Sequence, residues 1–485
     1  MNKTVKTTAA LAVIAALGGC SSVTSAASSA SSAETETQDT AVSDTASVPQ
    51  ADSIQINETL ENSADGEHVI EENGTESSYY NVKIVKTGEA DGDEADFYGA
   101  NSAVFAADSA RLYISDAVID TNGTHANAVF SYGQGTEVNV SNTVITTSGN
   151  CSGGLMTTGG GTMTAENLNI HTTGNSSAAI RSDRGGGTVK VNGGLYVTDG
   201  KGSPVIYSTA DITVSNAEMI STASQGVVVE GKNSVTLNDV TLTADNNTKN
   251  SDKSDTYQAV MIYQSMSGDA AEGLASFTMN GGTLTNANGD IFFVNNTVAE
   301  ITLNDAEIVN NGVGVFLRAE AAGWGTAGSN GGQVTMTASS QKIDGDMIVD
   351  DVSHLNLILN DGSVFTGTVN ADGEAGEVYV ELNGNAKWVL TDDAYITSLT
   401  CSADSIDLNG HTLYVNGTAW EAGTASKGQL IEAVYTSGNG GPGGMPDGQP
   451  PERPDGENGE PPARPDGEPP AKPDGENGEP PAKPE

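Results

Sequence analysis

The sequence Ile301-Thr-Leu-Asn-Asp305 is one of eight copies of a short pattern between residues 111 and 333. In each copy two apolar residues stand on either side of a polar one, and polar or small residues follow. The copies recur at a step of 26 residues from Thr136 to Thr162 and again to Thr188. A fixed period in this range is typical of solenoid proteins. The other seven copies begin at Leu112, Val138, Met163, Val189, Ile212, Val235 and Phe277.

Each unit contains two further apolar positions, and the residues around each of them are predicted to form a strand. One follows the quoted pattern, as at Ile119 and Ile145, and another closes the unit, as at Val129 and Leu155. Alternation with period two, bounded by Ser, Asn, Asp and Gly, indicates strands and turns, and no helical spacing lies between them. Three short strands per unit predict an all-β fold, a parallel β-helix of about 11–13 coils. The units are too long and irregular for a left-handed hexapeptide solenoid, so we expect a right-handed one.

The composition agrees with a solenoid and excludes some partners. The chain has 485 residues, a formal net charge of −44, and an aromatic content of only 5%. A narrow stacked core needs Val, Ile, Ala and Thr rather than large rings. Only 20 residues are Lys or Arg, so no basic patch is expected to bind nucleic acid or an anionic membrane surface.

The N-terminus resembles the signal of bacterial lipoproteins. Lys3 and Lys6 precede an apolar run at residues 9–17, and Leu17-Gly-Gly-Cys20 is similar to a lipobox. The resemblance implies cleavage of residues 1–19, lipidation of Cys20, and attachment to the membrane through this N-terminal lipid alone. Residues 20–52 are rich in Ser, Ala and Thr, which is typical of a flexible linker.

The sequence offers no cofactor or metal motif. Cys151 and Cys401 are expected on the order of 40 Å apart, because each coil rises about 4.8 Å, and they should be free thiols. The five histidines lack metal-ligand spacing. A weak calcium candidate is the acidic turn at Asp91, Asp93 and Asp96, although a solvated turn is the favoured interpretation.

The rest of the chain divides by pattern. Residues 53–110 read as an N-terminal cap and first coil, residues 111–333 as regular coils, and residues 334–436 as looser late coils. Polar insertions at residues 244–258 and 318–333 interrupt the register, and solenoid insertions commonly build a binding face. Residues 437–485 hold 14 of the 16 prolines and are expected to form a disordered, acidic tail.

Two resemblances to known families add to this pattern. The late coils, with Leu355-Asn-Leu-Ile-Leu359 and Val378-Tyr-Val-Glu-Leu382, resemble those of pertactin-like autotransporter passengers. The lipobox, coil pattern and Pro-Gly-Asp tail together resemble adhesin-like surface lipoproteins of gut-type Gram-positive bacteria. That resemblance implies a location on the cell surface and a β-helix fold. It rests on no catalytic motif.

The best candidates for a binding surface lie beside the third strand. The residue after its core position should point outward and form a column along the coils, spaced by about 4.8 Å. The column is predicted to contain Phe130, Met156, Arg181, Tyr207, Glu230, Tyr263, Phe293, and Leu317 or Arg318, with Asp183, Arg184, Lys232, Gln264 and the loop residue Trp324 nearby.

Aromatic rings beside Arg, Asp and Gln are the groups that bind sugars, through C–H contacts and charge-assisted hydrogen bonds. We therefore predict a monomeric cell-surface adhesin that binds extracellular polysaccharide or a host or cell-surface glycoprotein. A stacking and ion-pair ladder that only stabilises the coils is the alternative for the same residues. Two other functions stay open: a polysaccharide lyase or glycoside hydrolase that uses Asp183 and Glu230, and a structural stalk that displays the acidic tail.

Overall fold

A computed structural model describes residues 47–249 and 251–433. The predicted lipoprotein signal, Cys20, most of the predicted linker and the proline-rich segment lie outside the described residues. Nearly all of the described chain is strand or turn, and the strands pair in parallel from one coil to the next. The predicted parallel β-helix is confirmed, while its right-handed sense stays a prediction.

Each coil contributes strands to parallel stacks, which we call the first, second and third ladders in the order in which the chain enters them. The first ladder contains the repeated pattern of the sequence. Its register confirms the repeat, because Val189 pairs with Ile212, which pairs in turn with Val235. The strands of the first ladder are Glu76–Tyr80, Arg111–Ser115, Glu137–Ser141, the first halves of Gly161–Thr172 and Gly187–Thr198, Asp211–Ser215, Ser234–Asn238, Leu274–Asn280, Thr297–Asn304, Gly332–Ser339, His354–Leu359, Glu377–Leu382 and Ser398–Thr400.

The second ladder follows a turn in every coil. The turn residues Asn142, Asn167 and Asn216 have positive φ, which Asn tolerates because its short side chain can bond locally. The second ladder contains Glu58–Asn62, Val82–Lys86, Val118–Thr121, Val144–Thr147, the second halves of Gly161–Thr172 and Gly187–Thr198, Glu218–Ser221, Thr241–Ala244, Thr283–Asn286 and Glu307–Asn310, and a separate sheet follows with Lys342–Asp344, Val364–Thr366, Lys387–Val389 and Ile406–Asp407.

The third ladder closes each coil and is a sheet of 11 strands. It contains Ile70–Asn73, Val104–Ala107, Val129–Tyr132, Leu155–Thr158, Ile180–Ser182, Ile206–Ser208, Val227–Glu230, Gln258–Tyr263, Asp290–Asn295, Val315–Ala319 and Asp346–Val349. A small sheet of Ala394–Ile396, Leu413–Val415 and Thr418–Ala419 lies at the C-terminal end of the described chain.

The core is one continuous stack of inward side chains from all three ladders. Leu112, Val138 and Met163 of the first ladder are completely or almost completely buried, and so are Val129 and Leu155 of the third. Each such side chain contributes about 1.5–3 kcal/mol when it leaves water. Because the period-two alternation aims these residues inward in every coil, the repeat itself determines the core.

Helices are rare among the described residues. A 3-10 turn spans Ala51–Ser53, and one short α-helix, Asp93–Phe97, lies in the loop that precedes the third-ladder strand Val104–Ala107. No helix in this part of the chain is long and apolar enough to cross a membrane.

Candidate functional site

The outward column of the third ladder is partly as predicted. Phe130, Met156, Arg181 and Tyr207 pair in succession, and Phe293 pairs with Arg318 further along. The column continues from Tyr207 through two residues that the sequence did not indicate, Val228 and Met261.

Two of the predicted column positions are wrong, and of the alternatives Leu317 and Arg318 the structure favours Arg318. Tyr207 pairs with Val228, so Glu230 lies two residues further along the strand, and Tyr263 pairs with Glu230 in that second column. Leu317 is a core residue, because it pairs with Phe292 while Arg318 occupies the outward column. A shift of two residues keeps a side chain on the same face of the strand, so alternation could not distinguish the two alignments of Glu230 and Tyr263.

Outward-facing residues of this ladder are mostly covered rather than exposed. Phe105, Phe130, Tyr132 and Met156 form an N-terminal cluster against which Tyr98 packs. Val228, Met261, Tyr263 and Phe293 form a C-terminal cluster against which Tyr207, Ala322 and Trp324 pack. The expectation of a flat, open ladder is therefore wrong, because exposed apolar columns of this size are covered by the neighbouring loops.

A cleft opens over the third ladder, and part of the C-terminal cluster lines it. Its larger side, about 320 Å³, lies beneath the insertion at residues 246–257 and is lined by Tyr207, Tyr257, Tyr263 and Trp324. Its smaller side, about 240 Å³, lies beside the short helix and is lined by Asp96, Phe97, Arg181, Asp183, Tyr207 and Asp269. Gly202, Pro204 and Tyr207 line both sides, so the two sides meet at the Tyr207 ring.

Charged groups on the smaller side are held in fixed positions. The Arg181 guanidinium donates to Asp183 at 2.8 Å, and both side chains are mostly buried. Arg184 donates to Asp269 at 2.6 Å and lies over the Phe97 ring, 3.5 Å from its centroid. Ion pairs that are anchored in this way present oriented charges without a further loss of side-chain freedom on binding.

On the larger side of the cleft, the aromatic residues contact one another and two lysines. The Trp324 ring meets Tyr263 edge-on, with 5.2 Å between ring centroids. Lys253 Nζ lies 5.7 Å from the centroid of Trp324, and Lys249 Nζ lies 5.4 Å from that of Tyr257. Both lysines line the cleft. They bring positive charge to a chain that is acidic overall.

Glu230 lies beneath the cleft and is not among its lining residues. Its Oε2 accepts hydrogen bonds from the hydroxyl groups of Tyr207 and Tyr263, and the latter bond is 3.2 Å long. Burial raises the pKa of Glu230 to about 7. The nearby Ser265 hydroxyl opposes this shift, yet Oε1 has no partner with hydrogen-bond geometry among the described residues.

The remaining predicted binding residues do not line the cleft. Gln264 is buried and donates to the carbonyl of Ala270, and the backbone of Lys232 donates to Ala271. Arg318 donates to the buried Asp290 at 2.6 Å. The predicted residues that do line the cleft are Arg181, Asp183, Tyr207, Tyr263 and Trp324, and Arg184 positions Asp269.

Sequence reasoning missed the cleft residues contributed by irregular loops. Lys249, Lys253 and Tyr257 belong to the insertion that was expected to protrude, and Asp269 lies in a further loop. No periodicity marks these residues. The only available signal was the insertion itself.

The acidic turn does not form the suggested calcium site. Asp93 lies 3.5 Å from Arg184, whereas Asp96 turns towards His125 at 3.1 Å. Asp91, Asp93 and Asp96 do not converge as a group that could hold an ion. Asp91 and Asp96 lie on either side of the His125 ring, while Asp93 faces Arg184.

Two other groups of side chains converge closely enough to hold a metal ion within the described residues. They are Asp96, His125 and Cys151 beside the cleft, and the more exposed Asp392, Asp393 and His411 in the late coils. Cys151 and Cys401 are free thiols, as predicted. The interaction with Asp96, reinforced by Cys151, raises the pKa of His125 to about 9.

Comparison of the chain with protein-family models, with curated proteins and with solved structures found no match. The function is therefore argued from the cleft alone.

Proposed function

We propose that the protein binds an extracellular carbohydrate in the cleft over the third ladder. The observation that carries this proposal is the pairing of aromatic rings with fixed charges in one concave site. Tyr207, Tyr257 and Trp324 line it beside the buried Arg181–Asp183 pair. Ring faces suit the C–H surfaces of a pyranose, while the ion pair offers oriented groups for hydroxyls.

The shape of the cleft supports a short stretch of polymer as the ligand. Its two sides meet at Tyr207, and together their volumes are within the usual range for ligand sites. Tyr207 would contact the middle of the bound stretch, Trp324 and Tyr257 one end, and Arg181 with Asp183 the other. A branched or terminal glycan of a glycoprotein offers the same chemistry.

Binding without cleavage is the better-supported function. A glycosidase needs two carboxyl groups at the bond that breaks, one of them protonated near neutral pH. Glu230 has the raised pKa, yet it lies beneath the tyrosines and does not line the cleft. Asp183 lines the cleft but is held by Arg181. Cleavage through Asp183 and Glu230 therefore needs the tyrosines to move.

The proposed setting is the cell surface, with the lipid on Cys20 as the only membrane attachment and the coils acting as a monomeric adhesin. Supporting this are the lipobox-like Leu17-Gly-Gly-Cys20 and the polar linker after it.

The test is retention of the purified full chain on a panel of plant and host polysaccharides, with the size of the recovered polymer measured in parallel. Retention without shortening is expected. Trp324→Ala should weaken retention about tenfold, equivalent to about 1.4 kcal/mol. The matched control is Tyr113→Ala, which removes an exposed ring from the first ladder and should leave retention unchanged.

Shortened polymer would replace the binding proposal with catalysis. If Trp324→Ala and Tyr113→Ala are retained equally well on the polymer, the ligand binds outside the cleft. No retention on any polymer would favour the stalk. Thermal melting of each variant, measured alongside, separates a lost contact from a lost fold.

A further inference from the structure

Asp96, His125 and Cys151 come from three segments that only the coil register brings together. His125 and Cys151 occupy the same turn in successive coils, since their backbone N–H groups donate to Asn150 and Asn175 in the next coil. Both residues also have the same left-handed conformation, with φ near 55°. Asp96 reaches them from the short helix Asp93–Phe97.

The three side chains converge on a small volume. One potential ligand atom from each lies within 4.8 Å of the other two. His125 Nδ1 is 3.1 Å from Asp96 Oδ1, and the His125 side chain is only 6% exposed. At that distance the carboxylate pairs with the imidazole when His125 is protonated. Metal ligands must be deprotonated, so a bound cation would take the place of that proton between the two groups.

The donor types select the class of ion. Thiolate, imidazole and carboxylate are the three groups that bind Zn²⁺, whereas calcium and magnesium prefer oxygen ligands alone. Tetrahedral zinc bonds of about 2.0–2.3 Å place the ligand atoms about 3.3–3.6 Å apart. The observed 3.1 Å between His125 Nδ1 and Asp96 Oδ1 is close to that spacing, and the other separations are at most 4.8 Å.

A further acidic residue borders the cluster. Asp91 Oδ1 lies 4.0 Å from His125 Nε2, beyond hydrogen-bond distance, and its side chain is fully exposed. Asp96 also lines the smaller side of the cleft, so a fourth coordination position would lie next to it.

We propose that Asp96, His125 and Cys151 form a zinc-type divalent cation site that fastens the short helix to the coils. Three protein ligands leave one position for water or for an oxygen of a bound molecule. The site is independent of the proposed carbohydrate binding, since its ligands contribute only Asp96 to the cleft.

The test uses the full chain after reduction and treatment with a chelator, titrated with Co²⁺ as a spectroscopic probe. We expect saturation at one equivalent, a thiolate-to-cobalt charge-transfer band, and displacement by Zn²⁺. Cys151→Ser should abolish the band, and Asp96→Asn or His125→Gln should weaken binding at least tenfold. Cys401→Ser is the matched control for the loss of a thiol, and His411→Gln controls for the exposed cluster; both should bind as the parent does.

A second readout does not depend on cobalt. Zn²⁺ should slow alkylation of Cys151 at least tenfold and raise the melting temperature of the parent protein but not of Asp96→Asn. The proposal is overturned if the charge-transfer band persists in Cys151→Ser. It is equally overturned if the melting shift survives in Asp96→Asn and disappears in His411→Gln, or if alkylation of Cys151 is as fast with Zn²⁺ as without.

Discussion

The outward faces of the first and third ladders share one backbone geometry but differ in what covers them. On the first ladder Tyr113, Asn139 and Thr164 pair in succession and remain partly or fully exposed. On the third ladder Phe130 and Met156 pair in the same way and are completely buried. Side-chain chemistry alone accounts for the difference. A polar column is stable in water, whereas an apolar column is stabilised by loops that pack over it, and the cleft lies where that cover is interrupted.

The largest effect should come from removing a covered ring. Phe293→Ala leaves a cavity under the loop at residues 320–331 and should lower the free energy of unfolding by about 3–5 kcal/mol. Tyr113→Ala, on the exposed ladder, should cost less than about 1 kcal/mol. Urea unfolding of both variants measures the difference. Equal losses would mean that the loops do not stabilise the third ladder.

A similar contrast should hold for ion pairs. Arg181→Met leaves the carboxylate of Asp183 mostly buried without its cation, and should lower the free energy of unfolding by about 3 kcal/mol. Arg111→Met breaks a pair whose side chains are about half exposed, and should cost at most about 1 kcal/mol. Adding Asp183→Leu to Arg181→Met should restore most of the lost stability. Failure of that rescue would show that Arg181 acts through other contacts.

Glu230 should make stability depend on pH. Its pKa is about 7 in the folded protein, against an ordinary value of 4.5, so the folded state holds the proton more tightly. The resulting stabilisation is fully present below pH 4.5 and is lost as the pH rises through 7. The parent should therefore lose about 2–3 kcal/mol in its free energy of unfolding between pH 4.5 and pH 8 through this group, and Glu230→Gln should not. Glu300→Gln, on the exposed face of the first ladder, controls for the loss of one charge; the same pH trend in both variants would contradict the assignment.

The sequence predicted the fold because the signal for it is local and repeated. Thr162 and Thr188 mark the same point of neighbouring coils, and their register is observed directly. The alignment of the third strand along its length was less certain where consecutive residues are apolar. Val227–Glu230 reads Val-Val-Val-Glu, and because Val227 and Val229 both point inward, the pattern cannot tell which of them pairs with Ile206. Choosing Val229 displaced the predicted column by two residues, to Glu230 and Tyr263.

The sequence predicted only those residues of the site that lie on the regular strands of the coils. Arg181 and Tyr207 were found because they are neighbours in the register. Lys249, Tyr257 and Asp269 were missed because aperiodic loops carry them back over the ladder. Asp96, His125 and Cys151 are far apart in the chain, and their meeting depends on how the first loop folds.

Hydrogen–deuterium exchange, with and without the polysaccharide retained by the full chain, tests most directly whether the interrupted cover of the third ladder is the binding site. We expect slower exchange in the segments beside the cleft, at residues 246–258, 264–273 and 320–331, and no change on the exposed strands of the first ladder. Slower exchange along the first ladder, or no change beside the cleft while the polymer is bound, would contradict that assignment.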